Sequence, residues 1–239
     1  MMKVVTFSSA KGGSSKSTLS LNTSGRKGLK YKVLGLDLDE QKNATSVYRT
    51  SRDEHTIYDV LTHKVSIKDA IKQSRFKNVD YIAGSSKIST LNVDKLAIKK
   101  LLQDVYKEYD FVIIDTPPSI KLPVVQSAYV ASDLVMIPTI LDKFSSANLM
   151  TVVNDIRKHN YKTEIKIVPS MLVKNSKLHN NVYDELKKFV DSKEGIELTR
   201  ALPNSIEVSN QMMDNKLLAN SNKVNRLKTA LKKLIDEEV

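Results

Sequence analysis

Lys3-Val4-Val5-Thr6-Phe7 leads through Ser8-Ser9-Ala10 into Lys11-Gly12-Gly13-Ser14-Ser15-Lys16-Ser17-Thr18, and a helical pattern follows. The first five residues read as a buried strand. A strand, a loop of glycine, serine and lysine, and a helix start, in that order, form the context a phosphate-binding loop requires. Gly12 and Gly13 let the backbone curl so that the N–H groups of Gly12 to Ser15 face phosphate oxygens, and the helix start adds its positive dipole end. Lys16 supplies a point charge to the β- and γ-phosphates. Ser17 offers a hydroxyl to Mg²⁺, and Thr18 reaches toward the α-phosphate. The common spacing G-x-x-x-x-G-K-[ST] is not met, because Ala10 and Ser15 stand where its two glycines fall. The variant K-G-G-x-x-K-[ST] fits in full.

Outward from this loop, short apolar runs alternate with longer amphipathic ones. Lys32 to Leu36, Phe111 to Ile114, Leu134 to Ile137 and Ile165 to Val168 read as strands without clear polar alternation, as expected for parallel strands covered on both faces. Val93 to Tyr109, Ser145 to His159 and Leu178 to Val190 read as helices. This alternation predicts an α/β fold, a doubly wound, mostly parallel sheet flanked by helices. Residues 1–239 read as one such domain, since no linker, repeat or low-complexity segment divides them. Two strands end in carboxylates. Asp37-Leu38-Asp39-Glu40-Gln41 follows the second, and Asp115-Thr116-Pro117-Pro118-Ser119 closes the run from Phe111. Ligands of open α/β sheets bind beyond the carboxyl ends of strands, where these groups fall.

Composition narrows the choice. The chain of 239 residues has no cysteine, which excludes disulfides, thiolate metal sites and iron–sulfur clusters held by Cys. Thirty-eight Lys and Arg against 27 Asp and Glu give a formal charge of +11, which favours a polyanionic partner, either nucleic acid or an anionic membrane surface. The four histidines are scattered without metal or triad spacing. The longest mostly apolar stretch, Leu122 to Leu141, is interrupted by Gln126, Asp133 and Pro138, so a membrane span is not expected. With no secretory signal visible, a cytoplasmic protein is the expectation.

The K-G-G-x-x-K-[ST] loop, the D-x-D-x-Q turn and the apolar strand ending Asp115-Thr-Pro-Pro-Ser together resemble the ParA/MinD family of P-loop ATPases, nearly end to end. The resemblance implies the P-loop NTPase fold and slow, partner-stimulated ATP hydrolysis with ATP and Mg²⁺. In this family a signature lysine, here Lys11, crosses to the opposite nucleotide of an ATP-dependent sandwich homodimer. Lys16 serves the phosphates and Asp39 positions the attacking water. Asp37 acts near Mg²⁺, and Asp115 holds Mg²⁺ together with Ser17. Ala201-Leu202-Pro203 resembles the element beside adenine, which makes Pro203 a binding residue. A small partition ATPase of this kind binds DNA nonspecifically, answers to a ParB-like centromere-binding protein and drives plasmid or chromosome segregation on the nucleoid. The alternative is a MinD-like positioning ATPase on a membrane.

The chain departs from the family in four places. Glu40 replaces a proline. Asn204-Ser205-Ile206-Glu207 replaces a basic R-N-x-R run, so DNA contacts are expected from other basic residues of the last third, including Lys174, Lys177, Arg200, Lys223 and Arg226. Thr23-Ser24-Gly25 stands where the family's first helix is rich in alanine, and an interior glycine costs a helix about 1 kcal/mol. Finally, Asn222 to Val239 is amphipathic, with Val224, Leu227, Leu231, Leu234 and Ile235 on one face. MinD proteins lay such a tail on membranes, but this one ends Asp236-Glu237-Glu238, which favours a helix packed on the protein's own core, and no membrane partner is expected.

Overall fold

The computed structural model describes residues 1–143, 145–205, 207, 214–220 and 225–239; the side chains of Ser145 and Ser146 are outside that description, as are Ile206, Lys223 and Val224 from the sequence analysis. Among the described residues eight strands form one sheet: β1 (Lys3–Phe7), β2 (Val33–Asp37), β3 (Lys72–Gln73), β4 (Val79–Ile82), β5 (Phe111–Asp115), β6 (Leu134–Ile140), β7 (Glu164–Ser170) and β8 (Ile196–Leu198). Their spatial order is β3-β4-β2-β5-β1-β6-β7-β8, and every neighbouring pair is parallel except β3 with β4. The doubly wound expectation is therefore met, with an antiparallel edge at β3.

Parallel strands need crossovers, and these bury both faces of the sheet. Among the described residues the longer helices in chain order are α1 (Lys16–Lys27), α2 (Asn43–Tyr48), α3 (Ile57–Leu61), α4 (Ile67–Ala70), α5 (Ala97–Gln103), α6 (Pro123–Ala131), α7 (Ser145–His159), α8 (Lys177–Asp191) and α9 (Arg226–Glu238). On one face Leu34, Leu36, Val112 and Ile114 pack with Val60, Ile98, Val124, Ile156 and Leu186, which come from α3 and α5 to α8. On the other, Val5, Phe7, Val33 and Ile113 pack with Leu19, Tyr48, Leu231 and Ile235 from α1, α2 and α9. Successive strand residues thus serve opposite cores, which is why these runs carry no polar alternation.

One sequence expectation changes in detail. The helix expected over Val93 to Tyr109 is regular only from Ala97 to Gln103. Before it, Asp94 turns the chain, accepting from the Leu96 N–H through Oδ1 at 2.9 Å and from the Ala97 N–H through its carbonyl at 2.9 Å. After it, Val105 and Glu108 bond three residues back, to Leu102 and Val105, and the helix tightens into turns. The sequence expectations place no element at β3, β4, β8, α2, α3, α4 or α6.

The unusual composition of α1 has a packing cause. The turn at Leu217 to Asn220 docks on it. The Asn22 side chain accepts from the Ala219 N–H at 2.8 Å, and the Gly25 carbonyl accepts from the Asn220 side chain at 3.1 Å. A methyl group on Gly25 would fall 2.0 Å from a Leu217 methyl, so the glycine is the notch into which Leu217 fits. Ser24 bonds the buried Tyr48 hydroxyl at 2.7 Å, tying α1 to α2.

α9 answers the question of the amphipathic tail. Leu227, Leu231, Leu234 and Ile235 are buried in the second core. Its acidic end is held by cations from three elements: Arg26 grips Asp236 with two bonds of 3.0 and 2.7 Å, Arg200 holds Glu237 at 2.6 Å, and Lys166 holds Glu238 at 3.0 Å. Among the described residues no helix is long and apolar enough to cross a membrane.

Tyr48 is the pivot between α2 and the sheet. Its ring stacks on Tyr81 at 5.5 Å and lies directly over Gly35, where an added methyl group would meet the ring at 2.8 Å. A ring packed on both sides cannot yield cheaply. Gly35→Ala is expected to lower stability by about 1–3 kcal/mol, as overpacked cores do. The measurement is the urea midpoint, and the loss is expected to shrink in a Tyr48→Ala background. An equal loss in both backgrounds would remove Tyr48 as the cause.

Candidate nucleotide site

The loop between β1 and α1 carries the strain expected of a backbone built around a ligand. Gly13 has φ of 70° and Ser15 has φ of 78°, both left-handed. Glycine adopts that region freely, whereas a serine there costs roughly 1–2 kcal/mol. Ser15 occupies the position where the common motif has glycine, so the variant loop keeps the same backbone path with a costlier residue. Added methyl groups on Gly12 and Gly13 would meet no atom within 4 Å. Both glycines line a cavity of about 470 Å³, together with Ser14, Ser15, Lys16, Ser17 and Thr18. The structure therefore gathers every residue of the expected phosphate cradle around one space.

Lys16 is buried in that loop and donates to the Lys11 carbonyl at 3.3 Å. Burial lowers its pKa below the ordinary lysine value, against the attraction of Asp115 and Asp39. A phosphate group would supply the missing counter-charge.

Asp37 and Asp115 stand side by side at the ends of β2 and β5, paired in register and out of contact with solvent. The Asp37 carboxylate is fully engaged. Oδ1 accepts from the Asp39 N–H at 3.0 Å, and Oδ2 accepts from Thr45 through its N–H at 2.8 Å and its hydroxyl at 2.7 Å. It therefore fastens both ends of the segment Asp39 to Thr45. Burial pushes its pKa up to about 6 in spite of those bonds, and the Asp39 charge adds to the rise.

Asp115 is the opposite case. Among the described residues neither carboxylate oxygen has a hydrogen-bond partner, and the Ser14 hydroxyl is also buried without one. Burial, then the Asp37 charge, raise the Asp115 pKa well above the ordinary carboxylate range; the nearby Ser17 hydroxyl lowers it without closing a bond of normal geometry. Buried, unpartnered oxygens beside a hydroxyl and a phosphate cradle fit a hard cation. Among the described residues no three His, Cys, Asp or Glu form a protein-only metal cage. Mg²⁺ keeps several waters and takes phosphate oxygens as ligands, so one or two protein groups suffice to hold it.

Asp39 lies at the cavity edge, 6% exposed, with Oδ1 held by the Gln41 N–H at 2.9 Å. Beyond Asp115, Thr116 bonds the Phe7 carbonyl at 2.8 Å and Lys121 bonds the buried Asp155 of α7 at 2.6 Å, so this segment is pinned at both ends. Pro118 reaches the cavity wall.

The far end of the cavity is apolar. Leu202 donates its N–H to Pro169 at 2.7 Å, and Asn204 donates to Leu172 at 3.0 Å, so the segment around Pro203 continues the edge of β7. Pro203 lines the cavity as expected, beside Met171, Leu202, Leu227 and Leu231. The last two come from α9, and no local sequence signal placed them there. Lys11, Asp37 and Asp115 do not line the cavity. The two carboxylates are buried behind it, whereas the exposed Lys11 amine turns away and pairs with Asp142 beyond β6.

A strained glycine loop between strand and helix, a buried lysine inside it and a buried carboxylate at the neighbouring strand end define a P-loop nucleotide-hydrolase site. Comparison with known proteins agrees. Residues 2–168 match the family described as an AAA domain. The chain is 30% identical over 210 residues to the sporulation initiation inhibitor protein Soj of Bacillus subtilis, covering 81% of this chain and 82% of that one. It is 35% identical over 161 residues to a virulence plasmid ParA family protein of Chlamydia psittaci, covering 63% and 62%. A putative plasmid partition protein of Borrelia burgdorferi bound to AMPPNP superposes with a TM-score of 0.85 at 22% identity over 99% of this chain and 98% of that one. The septum site-determining protein MinD of Pyrococcus horikoshii with Mg-ADP gives 0.81 at 21% identity over 99% and 96%. The chain belongs to the ParA/MinD family of P-loop ATPases.

The buried carboxylates make a pH prediction for the nucleotide-free protein. Between the ordinary Asp value and about 6, folded Asp37 keeps a proton that the unfolded chain has released. Its contribution to stability therefore falls as pH rises through that window, by at most about 3 kcal/mol. Asp115 is shifted in the same direction. In thermal melts from pH 4 to 7, Asp37→Asn is expected to decline less than wild type over that range. Parallel curves for the two proteins would contradict the buried-charge assignment.

Proposed function

We propose that this chain is a partition ATPase of the ParA type. It binds ATP with Mg²⁺ and closes into a sandwich dimer. The dimer binds DNA nonspecifically, and hydrolysis is slow until a ParB-like centromere-binding protein stimulates it. Its place is the cytoplasm, on the nucleoid, and its cargo is a plasmid or chromosome. The observation that carries this reading is the division of labour between two lysines. Lys16 is buried inside the phosphate cradle, whereas Lys11 leaves the same loop and presents its amine on the rim.

In the mechanism, Lys16 and the N–H groups of Gly12 to Ser15 bind the β- and γ-phosphates, and Thr18 meets the α-phosphate. Ser17 and Asp115 would hold Mg²⁺, which when bound would supply positive charge against the phosphates. Asp37 holds the Asp39 turn and adds negative charge behind that site; its two oxygens are already used within the protein. Asp39 orients the attacking water and takes its proton. Pro203 and the apolar end of the cavity receive adenine. Lys11 exchanges Asp142 for the partner's phosphates, reciprocally across a two-fold axis, and delivers positive charge where the transition state builds negative charge.

For the DNA step, Lys174, Lys177 and Arg226 are exposed, while Arg200 is engaged with Glu237. The MinD-like alternative needs a free amphipathic tail, and the burial of α9 speaks against it.

Two variants separate the roles. With ATP, light scattering is expected to give a dimer for wild type and Asp39→Ala and a monomer for Lys11→Ala, with ADP giving monomers throughout. Asp39→Ala is expected to lose turnover by about 100-fold or more. Lys11→Ala dimerising with ATP like the wild type would sink the sandwich mechanism for this protein.

A further inference from the structure

The edge of the sheet opposite the nucleotide carries a second feature that the ATPase reading does not use. At the starts of β1, β2 and β5, Lys3, Val33 and Phe111 lie in register, one strand length or about 17 Å from the phosphate loop. α1 ends there in the turn Gly28-Leu29-Lys30-Tyr31-Lys32, closed by the N–H groups of Lys30 and Tyr31 on the Lys27 carbonyl at 3.0 and 2.9 Å. Leu29, Lys30, Tyr31 and Lys32 are all exposed. The Tyr31 ring meets Phe111 edge-on at 5.2 Å, and the Lys27 amine sits 5.0 Å over the same Phe111 ring.

The cations crowd one another. Burial, then the charges of Lys3, Arg26 and Lys30, hold Lys27 below the ordinary lysine value, with Asp236 opposing. Two carboxylates face the patch, and both have other work: Asp236 is gripped by Arg26, and Asp110 accepts the Lys32 N–H at 2.9 Å. Among the described residues Lys27, Lys30 and Lys32 have no carboxylate at ion-pair distance. A helix C-terminus favours basic residues through its dipole, which accounts for Arg26 and Lys27. It does not account for Lys30 and Lys32 past the helix end, or for an aromatic ring left 43% exposed between them.

We infer that this edge is a contact surface for a single nucleic-acid strand, with Lys27, Lys30 and Lys32 on successive phosphates and Tyr31 as the platform on which a base stacks. Basic side chains that track a backbone around an exposed ring are the elements of sequence-tolerant strand binding. A membrane surface fits less well, because the exposed apolar groups here are Leu29 and Tyr31 on a tight turn, and the amphipathic helix nearest to it has its apolar face buried. The surface lies away from the nucleotide cavity, so it works in the monomer and without ATP. It stands whether or not the dimer of the proposed function forms.

The test uses the full-length, nucleotide-free protein and fluorescence anisotropy of labelled oligothymidylate and of a duplex, each about 20 nucleotides long. Lys30→Glu/Lys32→Glu is expected to weaken single-strand binding tenfold or more and to reduce the slope of log affinity against log salt by about 1.4. Tyr31→Ala is expected to weaken the single strand about fivefold or more while leaving the duplex within twofold. Lys187→Glu/Lys188→Glu, an exposed pair on α8 with the same charge change, is the control and is expected to bind like wild type. Lys11→Ala is expected to keep this binding, which separates it from ATP-dependent DNA binding. The inference is overturned if the Lys30/Lys32 variant loses no more than the control. It is equally overturned if the variant loses affinity for phosphatidylglycerol vesicles but not for the oligonucleotide. Melting temperatures of all variants are compared first, so that a lost fold is not read as a lost site.

Discussion

Everything at the top of this sheet depends on keeping two carboxylates, Asp37 and Asp115, together and out of water. Burial raises both, with the Asp39 charge adding to the rise of Asp37 and the Asp37 charge to that of Asp115. The protein resolves the conflict asymmetrically. Asp37 is satisfied from within, by Thr45 and the Asp39 backbone, and so becomes a structural clamp on the Asp39 turn. Among the described residues Asp115 has no partner for either oxygen, and it stands next to a lysine that burial also disfavours. Such an arrangement is unfavourable until something that carries both a cation and an anion arrives. A Mg²⁺–nucleotide is a ligand of that kind, and binding sites commonly hold this sort of unmet demand at some cost to stability.

The fold supplies the positions. Parallel strands of similar length end at one edge, and so Phe7, Asp37 and Asp115 come level, with the phosphate loop springing from the first of them. α1, notched at Gly25 and bonded through Asn22 and Ser24, ties the Leu217 turn and Tyr48 to the same corner. α9 then closes the apolar end of the cavity with Leu227 and Leu231, and its acidic end is held by Arg26, Arg200 and Lys166. A helix that walls the nucleotide cavity on one side and packs on the core with the other has no free apolar face for a bilayer.

How much of this was legible in the sequence follows from how local each signal is. The phosphate loop and both acidic strand ends were read from runs of fewer than ten residues, because their function depends on consecutive backbone groups. The choice of serine and glycine in α1 was not legible, since its partner is the turn at Leu217 to Asn220, nearly two hundred positions later. The same holds for Leu227 and Leu231 on the cavity wall and for Asp142 beside Lys11. Helix length in α5 was over-read because the apolar spacing of Val93 to Tyr109 continues through turns that bond three residues back rather than four. The role of Asp37 also needed coordinates. Its sequence position marks a carboxylate near the ion, while its hydrogen bonds show that both oxygens are already committed.

The central claim is that phosphate charge, carried with Mg²⁺, is what the buried Lys16 and Asp115 are waiting for. Calorimetric titration of ADP into wild type and Lys16→Ala, each with and without Mg²⁺, tests it most directly. Wild type is expected to bind, more tightly with Mg²⁺, and Lys16→Ala is expected to show no measurable binding under either condition. Wild-type affinity in Lys16→Ala would contradict it.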